Sequence, residues 1–435
     1  VYADNAATSF PKPPGVVEAM ARYASEVGAT PGRALYAESL EGGRIMRVCR
    51  ERLCRLIGGE SASHVIFTLN TTDALNLAIH GLARHRRRRE PGRPVHVVTT
   101  AFDHNSVLRP LHDLSRDGVR VTHVDAEARS GRVDPGAIRR AIEPDTLLVA
   151  LNHAGNVTGV IQDAAGVARV CREAGVAFLL DAAQSAGHVP IDVRAWGVDL
   201  LAMPGHKGLL GPLGTGVLYL RPGMEKVVDS VRQGGTGSAS EEDRQPESMP
   251  DKYEPGSHNA PGIAGLSAAV EYILSRGVGA IREHERGLVG RMLAGLREGG
   301  ATVGGVSADP AGALADLTLL GPGEDVERTA VFTLVHARES PAELAMVLEQ
   351  EFGVLARPGV HCAPRAHASL GTLSEPSRPG GLRLSFGALN TEQDVDHVLE
   401  ALRYVCREYA GRSASGASRG RPGSATLTAG VTGPR

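Results

Sequence analysis

The chain is short of cysteine, of any charge excess and of long apolar runs, and each shortage excludes something. Its five cysteines (Cys49, Cys54, Cys171, Cys362 and Cys406) form an odd, scattered set in 435 residues, which is not a disulfide framework. Cys49 and Cys54 lack the spacing of a metal site; both read as helix residues, partly in a core, and no bound metal is expected. A formal net charge of -2 leaves no global basic field to attract nucleic acid. No stretch approaches the roughly 18 apolar residues that a membrane span needs. The opening Val1-Tyr2-Ala3-Asp4 has no signal-peptide pattern, and a cytoplasmic location is expected. The run Arg86-Arg87-Arg88-Arg89 has no interleaved aromatics and leads into Glu90-Pro91-Gly92, so it reads as a solvated loop rather than a nucleic-acid patch.

Glycine, by contrast, is abundant: 54 of 435 residues, about 12% against a usual 7%. Clusters such as Gly211-Pro212-Leu213-Gly214 and Gly234-Gly235 suit tight turns and close backbone approach to a ligand. Short Val-, Ile- and Leu-rich runs at 65–69, 95–100, 119–124, 146–152, 177–181, 200–203 and 216–220 alternate with helical patterns. That alternation predicts a mostly parallel sheet buried on both faces, with ligands at the carboxyl ends of its strands. After about residue 265 a long helical pattern (263–298) precedes strands at 317–320, 330–335, near 354–357 and 382–386. Helices at 341–351 and 391–409 complete a smaller α+β region. The expected organisation is an N-terminal segment (1–30, with a helix near 14–27) packing with the small domain, a large domain (31–265), a small domain (266–410) and a tail (411–435). The tail is rich in Gly, Ser, Thr, Arg and Pro and reads as disordered.

Two strands carry unusual ends. Ala177-Phe178-Leu179-Leu180-Asp181 is a buried run closing on a carboxylate, which is costly to bury without a partner. Leu200-Leu201-Ala202-Met203-Pro204-Gly205-His206-Lys207 closes on a lysine between glycines; burial there lowers the amine's pKa and makes it nucleophilic. Lys207 precedes the glycines instead of closing them, so this is not a P-loop.

This pair resembles the class V aminotransferase group of fold type I pyridoxal 5'-phosphate enzymes, and further motifs agree in order from Asp4 to about Leu402. They are Asp4-Asn5-Ala6-Ala7-Thr8, Asn70-Thr71-Thr72-Asp73-Ala74-Leu75-Asn76, His104-Asn105-Ser106 and Asn152-His153-Ala154-Gly155-Asn156-Val157-Thr158-Gly159. Arg357-Pro358-Gly359-Val360-His361-Cys362-Ala363-Pro364 is similar to the loop of cysteine desulfurases, in the selenocysteine lyase-like branch. The resemblance implies a seven-stranded, mostly parallel sheet with a smaller α+β domain, and pyridoxal 5'-phosphate held as a Schiff base on Lys207. It further implies Asp181 on the ring nitrogen, His104 stacked on the ring, and Thr71, Thr72, Gln184 and His206 around the cofactor. Asn156 would meet the cofactor's phenolic oxygen or the substrate carboxylate; Asn5 and Arg383 would bind substrate, Arg383 by a bidentate fork. Cys362 would take sulfur from L-cysteine as a persulfide and pass it to an acceptor protein or small thiol, with a nearby His favouring its thiolate. Ser257 would reach the phosphate of a neighbouring subunit, implying a homodimer. Selenocysteine lyase, another C–S lyase, and a non-catalytic cofactor-holding scaffold remain alternatives. Two departures stand out: Pro204 replaces a usual Ser or Thr, removing a phosphate-binding hydroxyl, and the stretch 372–381 is longer than expected.

Overall fold

The computed structural model describes residues 1–414 apart from 33, 128, 129, 308 and 324, with side chains to 407. Seven strands form the larger sheet: β1 (Val65–Thr68), β2 (His96–Thr100), β3 (Arg120–Val124), β4 (Thr146–Asn152), β5 (Ala177–Asp181), β6 (Leu200–Pro204) and β7 (Gly216–Leu220). Their order is β1-β7-β6-β5-β4-β2-β3. All pairs are parallel except those of β7, which runs against both β6 and β1. The central strands lack polar–apolar alternation because both faces are covered. Val149, Leu151, Phe178, Leu180, Leu201 and Met203 enter one apolar cluster. Leu148, Ala150, Leu179, Leu200 and Ala202, one step out of phase, enter the other.

A second sheet, ordered β12-β13-β11-β10-β8-β9, contains β8 (Thr302–Val303), β9 (Val306–Ser307), β10 (Leu317–Leu319), β11 (Val331–His336), β12 (Arg357–Gly359) and β13 (Gly381–Ser385). The chain start joins it: Tyr2 bridges Leu355, Asp4 bridges Ser385, and Ala3 lies in its core. The helix expected near 14–27 goes elsewhere. Val16, at its start, belongs to the cluster of the larger sheet with Ile263 and Leu266, so the N-terminal segment spans both parts.

Other expectations need correction. The pattern over 263–298 is two helices, Ala260–Arg276 and Val278–Glu298, parted at Gly277 (φ 85°, ψ 128°); periodicity alone does not register a one-residue break. Arg86–Arg89 are the last turn of the helix Thr71–Arg89, not a loop. Cations at that end meet the negative pole of the helix, and Arg86, Arg87 and Arg88 pair with Glu90, Asp117 and Asp229. The strand near 354–357 lies at 357–359, and the two-residue strands β8 and β9 are too short to leave a pattern. The last helix, Glu392–Ala414, carries the chain four residues past the expected start of the tail; residues 415–435 lie outside the described residues. No helix among those described is long and apolar enough to cross a membrane.

Candidate active site

Three parallel strands end together. Asn152 of β4 sits in register with Asp181 of β5, and β6 runs through Pro204 into the turn Gly205-His206-Lys207. That turn depends on glycine: a Cβ on Gly205 would lie 2.0 Å from Thr215 Oγ1, while Gly205 N–H donates to Thr215 O at 2.8 Å. Across the strand ends opens a cavity lined by Thr71, Thr72, His104, Asn156, Asp181, Gln184, His206 and Lys207, with Ser106, Asn152 and Pro204 between them. Residues up to 136 positions apart, which sequence reading treats separately, share this one wall.

Burial sets the chemistry of the titratable groups. The Lys207 amine is pushed below its ordinary range, first by desolvation and then by the Arg383 charge, with Asp181 opposing. Asp181 is pushed up by burial, partly offset by the Ala183 N–H it accepts at 2.9 Å and by Lys207. Among the described residues no side-chain hydrogen bond holds Lys207 Nζ, which keeps the amine free to react. His104 is pushed down to about 4 by burial and by Lys207, Arg357 and Arg383, so its ring is neutral at physiological pH. Its Nδ1 accepts the Ser106 N–H at 3.1 Å, which leaves the proton on Nε2. The Ser106 hydroxyl also meets Thr72 Oγ1 at 2.7 Å.

Thr72 is thus already engaged, whereas Thr71 Oγ1 and His206 Nδ1 are buried in the cavity wall without partners. The helix Thr71–Arg89 starts at the same wall, its first turn capped by Asn70 accepting from Asp73 N–H. Helix N–H groups without intrahelical partners favour an anion there.

Several supporting residues gave no sequence signal. The His206 carbonyl, one peptide before Lys207, faces four donors: Ser9 N, Thr8 Oγ1, Ser9 Oγ and Lys12 Nζ, at 2.9–3.2 Å. Lys12, pushed down to about 8 by burial, also donates to Ser9 Oγ at 2.8 Å. This N-terminal segment fixes the lysine turn from about 200 residues away. Asp103, fully buried, accepts from Thr99, Thr100 and the Asn152 N–H and so ties β2 to β4 beside His104.

The substrate-side residues lie around the edge. Arg383, 1% exposed, pairs with Asp4 at 2.9 Å and donates to the Asn156 carbonyl at 3.3 Å; its Nε has no partner. Asn5 donates to Asn390 Oδ1 and lines a second hollow that also reaches Lys207 and Gln184, not the cavity above. Asn156 Nδ2 donates to the His361 carbonyl at 2.7 Å, which binds the cavity wall to the cysteine turn. Cys362 is exposed, the other four cysteines buried. The nearby His expected to favour its thiolate does not face it as a cation: buried His361 is pushed down to about 3 by desolvation and Arg383. The nearby positive group is Arg357, whose Nη2 lies 3.8 Å from Cys362 Sγ. Ser257 is exposed and absent from the cavity of its own chain.

The model of the aminotransferase class-V family matches residues 1–398. The chain belongs to that family. The seven-stranded, mostly parallel sheet and the smaller α+β part are the fold of that family, as expected. The chain is similar to a probable cysteine desulfurase of Methanothermobacter thermautotrophicus, 33% identical over 93% of this chain and 94% of the other. It is also similar to the cysteine desulfurase IscS of Anaeromyxobacter dehalogenans, 35% identical over 65% of each. Among solved structures, the apo cysteine desulfurase of Thermococcus onnurineus superposes with a TM-score of 0.82 at 29% identity, covering 94% of this chain and 95% of that one.

Proposed function

We propose that this class-V chain is a pyridoxal 5'-phosphate-dependent cysteine desulfurase, converting L-cysteine to L-alanine and capturing the sulfur on Cys362 as a persulfide. One observation carries the reading: Lys207 and Asp181 share a cavity whose wall, through Asn156, holds the exposed Cys362 turn. The residues suit the cofactor. The unpartnered Thr71 Oγ1 and His206 Nδ1 and the start of a 19-residue helix offer donors to a phosphate, and Thr71 supplies the kind of hydroxyl that Pro204 lacks. Asp181 is placed to hold a ring nitrogen protonated, and the free Lys207 amine to hold the aldehyde carbon.

When bound, pyridoxal phosphate supplies an electron sink for bonds broken at the substrate's Cα and Cβ. Lys207, made less basic by burial, takes and returns the Cα proton. His104 stays neutral and offers Nε2–H, covering the ring face and moving protons. Arg383, oriented by Asp4 and the Asn156 carbonyl, grips the substrate carboxylate. Cys362, with Arg357 beside its sulfur, would attack the substrate sulfur as that sulfur's bond to Cβ breaks and the bond's electron pair stays with the carbon skeleton that becomes alanine; the outer sulfur of the persulfide then passes to an acceptor protein or small thiol, which leaves Cys362 as a thiol. Unpaired cysteines suit this chemistry in the cytoplasm. By the resemblance, Ser257, exposed in its own chain, would approach the phosphate of a partner in a homodimer; light scattering and a Ser257→Ala variant with weakened cofactor affinity test that.

The main test is mass spectrometry of the cofactor-loaded protein after brief exposure to L-cysteine without reductant. Added sulfur on the Cys362 peptide with alanine in solution is expected. Cofactor retained with neither product would sink the desulfurase reading.

A further inference from the structure

Cys362 sits in an unfavourable backbone. His361 (φ 55°) and Cys362 (φ 57°) are successive left-handed residues, a conformation that side chains other than glycine adopt at a cost. Something must hold the turn. Two fasteners come from the cavity side: Asn156 Nδ2 to His361 O at 2.7 Å and Asn105 N–H to Cys362 O at 2.8 Å. The third comes from behind and has no part in the chemistry above.

That third fastener is a chain of side chains. His361 Nε2 lies 3.0 Å from the Arg357 carbonyl, His361 Nδ1 lies 3.2 Å from His367 Nε2, and His367 Nδ1 lies 2.7 Å from Thr372 Oγ1. A carbonyl only accepts, so His361 must carry its proton on Nε2. With both rings neutral, every other proton follows: His367 Nε2–H donates to His361 Nδ1, and the Thr372 hydroxyl donates to His367 Nδ1. The chain starts in the long stretch 372–381 and ends on the residue whose guanidinium faces Cys362 Sγ. His367 is fully buried and His361 nearly so. The stretch closes over them: Gly380 N–H donates to Thr372 O at 2.9 Å, and a Cβ on Gly380 would lie 2.1 Å from Gly359 O.

We propose that His367 is a positioning residue for sulfur capture. Through His361 it holds the left-handed turn and the Arg357 backbone so that the Cys362 sulfur and the Arg357 guanidinium stay paired. It does this without touching cofactor or substrate, so its loss separates sulfur capture from cofactor binding. The inference rests on the reading of Cys362 as the sulfur acceptor.

The test uses His367→Leu, His367→Gln and Thr372→Val in the cofactor-loaded protein. Four things are measured: cofactor content, KM for L-cysteine, persulfide on the Cys362 peptide after L-cysteine, and the rate of Cys362 alkylation by iodoacetamide at fixed pH. His367→Leu is expected to slow persulfide formation roughly tenfold or more and to change the alkylation rate about severalfold as the turn loosens and the sulfur leaves its place beside Arg357. Cofactor content and KM for L-cysteine should hold. His367→Gln, whose amide N–H can still reach His361, should restore most of both, and Thr372→Val should show the same direction at smaller size. Unchanged persulfide and alkylation in His367→Leu would overturn the proposal, as would a Gln variant no better than Leu. If His367→Leu fails to fold, Thr372→Val decides, unchanged rates of persulfide formation and alkylation being the adverse result. Failure of the desulfurase reading looks different: the wild type itself gains no sulfur, yet the alkylation rate still changes in the variants.

Discussion

At the residue scale, Lys207 and Asp181 show how position makes a common residue reactive. Desolvation acts on both in the direction that opposes charge, lowering the lysine and raising the acid, and each partly rescues the other's charge. Lys207→Ala should abolish turnover and the visible absorbance of bound cofactor; turnover that persists would sink the assignment of the lysine. Arg383 is held between Asp4 and the Asn156 carbonyl, so a lysine there loses the fork. Arg383→Lys should raise KM for L-cysteine by roughly tenfold or more, as expected for losing about 1.5–3 kcal/mol of charge-assisted hydrogen bonding. A steady-state titration checks this, and a change confined to kcat would point away from substrate binding. The lysine and the acid were legible in the sequence because each ends an apolar strand. Lys12 and His367 were not, nor was the place of Arg357 beside the sulfur, because what matters about them is a neighbour: for Lys12 that neighbour is 194 residues away.

At the element scale, the strands of the larger sheet were readable because a strand covered on both faces must be apolar throughout. The helix break at Gly277, the helical Arg86–Arg89 run and the two-residue strands were not, since a backbone angle decides the first, ion pairs with acids as far off as Asp229 support the second and a neighbouring strand decides the third. The lysine turn is an element where one atom matters. Gly205→Ala drives a Cβ to 2.0 Å from Thr215 Oγ1 and should cost about 1–3 kcal/mol as an overpacked contact. Thermal unfolding should show a lower midpoint and a cofactor titration a weaker affinity. Adding Thr215→Ala should recover part of both, because the Thr215 hydroxyl is what the new methyl meets first; no recovery would mean that the remaining close contacts, Thr215 Cβ at 2.9 Å and Thr215 O at 3.1 Å, are the constraint.

At the scale of the whole molecule, buried neutral imidazoles tie stability to pH. His104, His153, His206 and His367 are pushed down to about 4 and His361 to about 3, in each case chiefly by burial. The ordinary value for a histidine is about 6.5. Between about pH 6.5 and 4 the unfolded chain therefore binds protons that the folded chain refuses, and stability rises with pH. Asp103 and Asp181, both raised by burial, act in the opposite sense, but two carboxyls stand against five imidazoles. Urea midpoints should fall as pH is lowered from 6.5 to 4; a flat or rising midpoint would contradict the burial of these rings. The same burial supports cofactor-site chemistry, since a neutral His104 beside Lys207 adds no further positive charge.

What the sequence determined alone is what neighbours in the chain decide: apolar strands closing on Asp181 and Lys207, glycines at the lysine turn, and a short motif around Cys362. Side-chain chemistry and strand period act over a few residues, so they survive in a one-dimensional reading. The tertiary structure alone decided which groups share a wall and which proton sits where. It put Asn156 on the cysteine turn, gave Arg357 the place beside the sulfur expected of a histidine, and joined His361, His367 and Thr372 into one directed chain. The reason is physical: hydrogen-bond direction and desolvation depend on what lies within a few ångströms, and folding, not spacing along the chain, sets those distances.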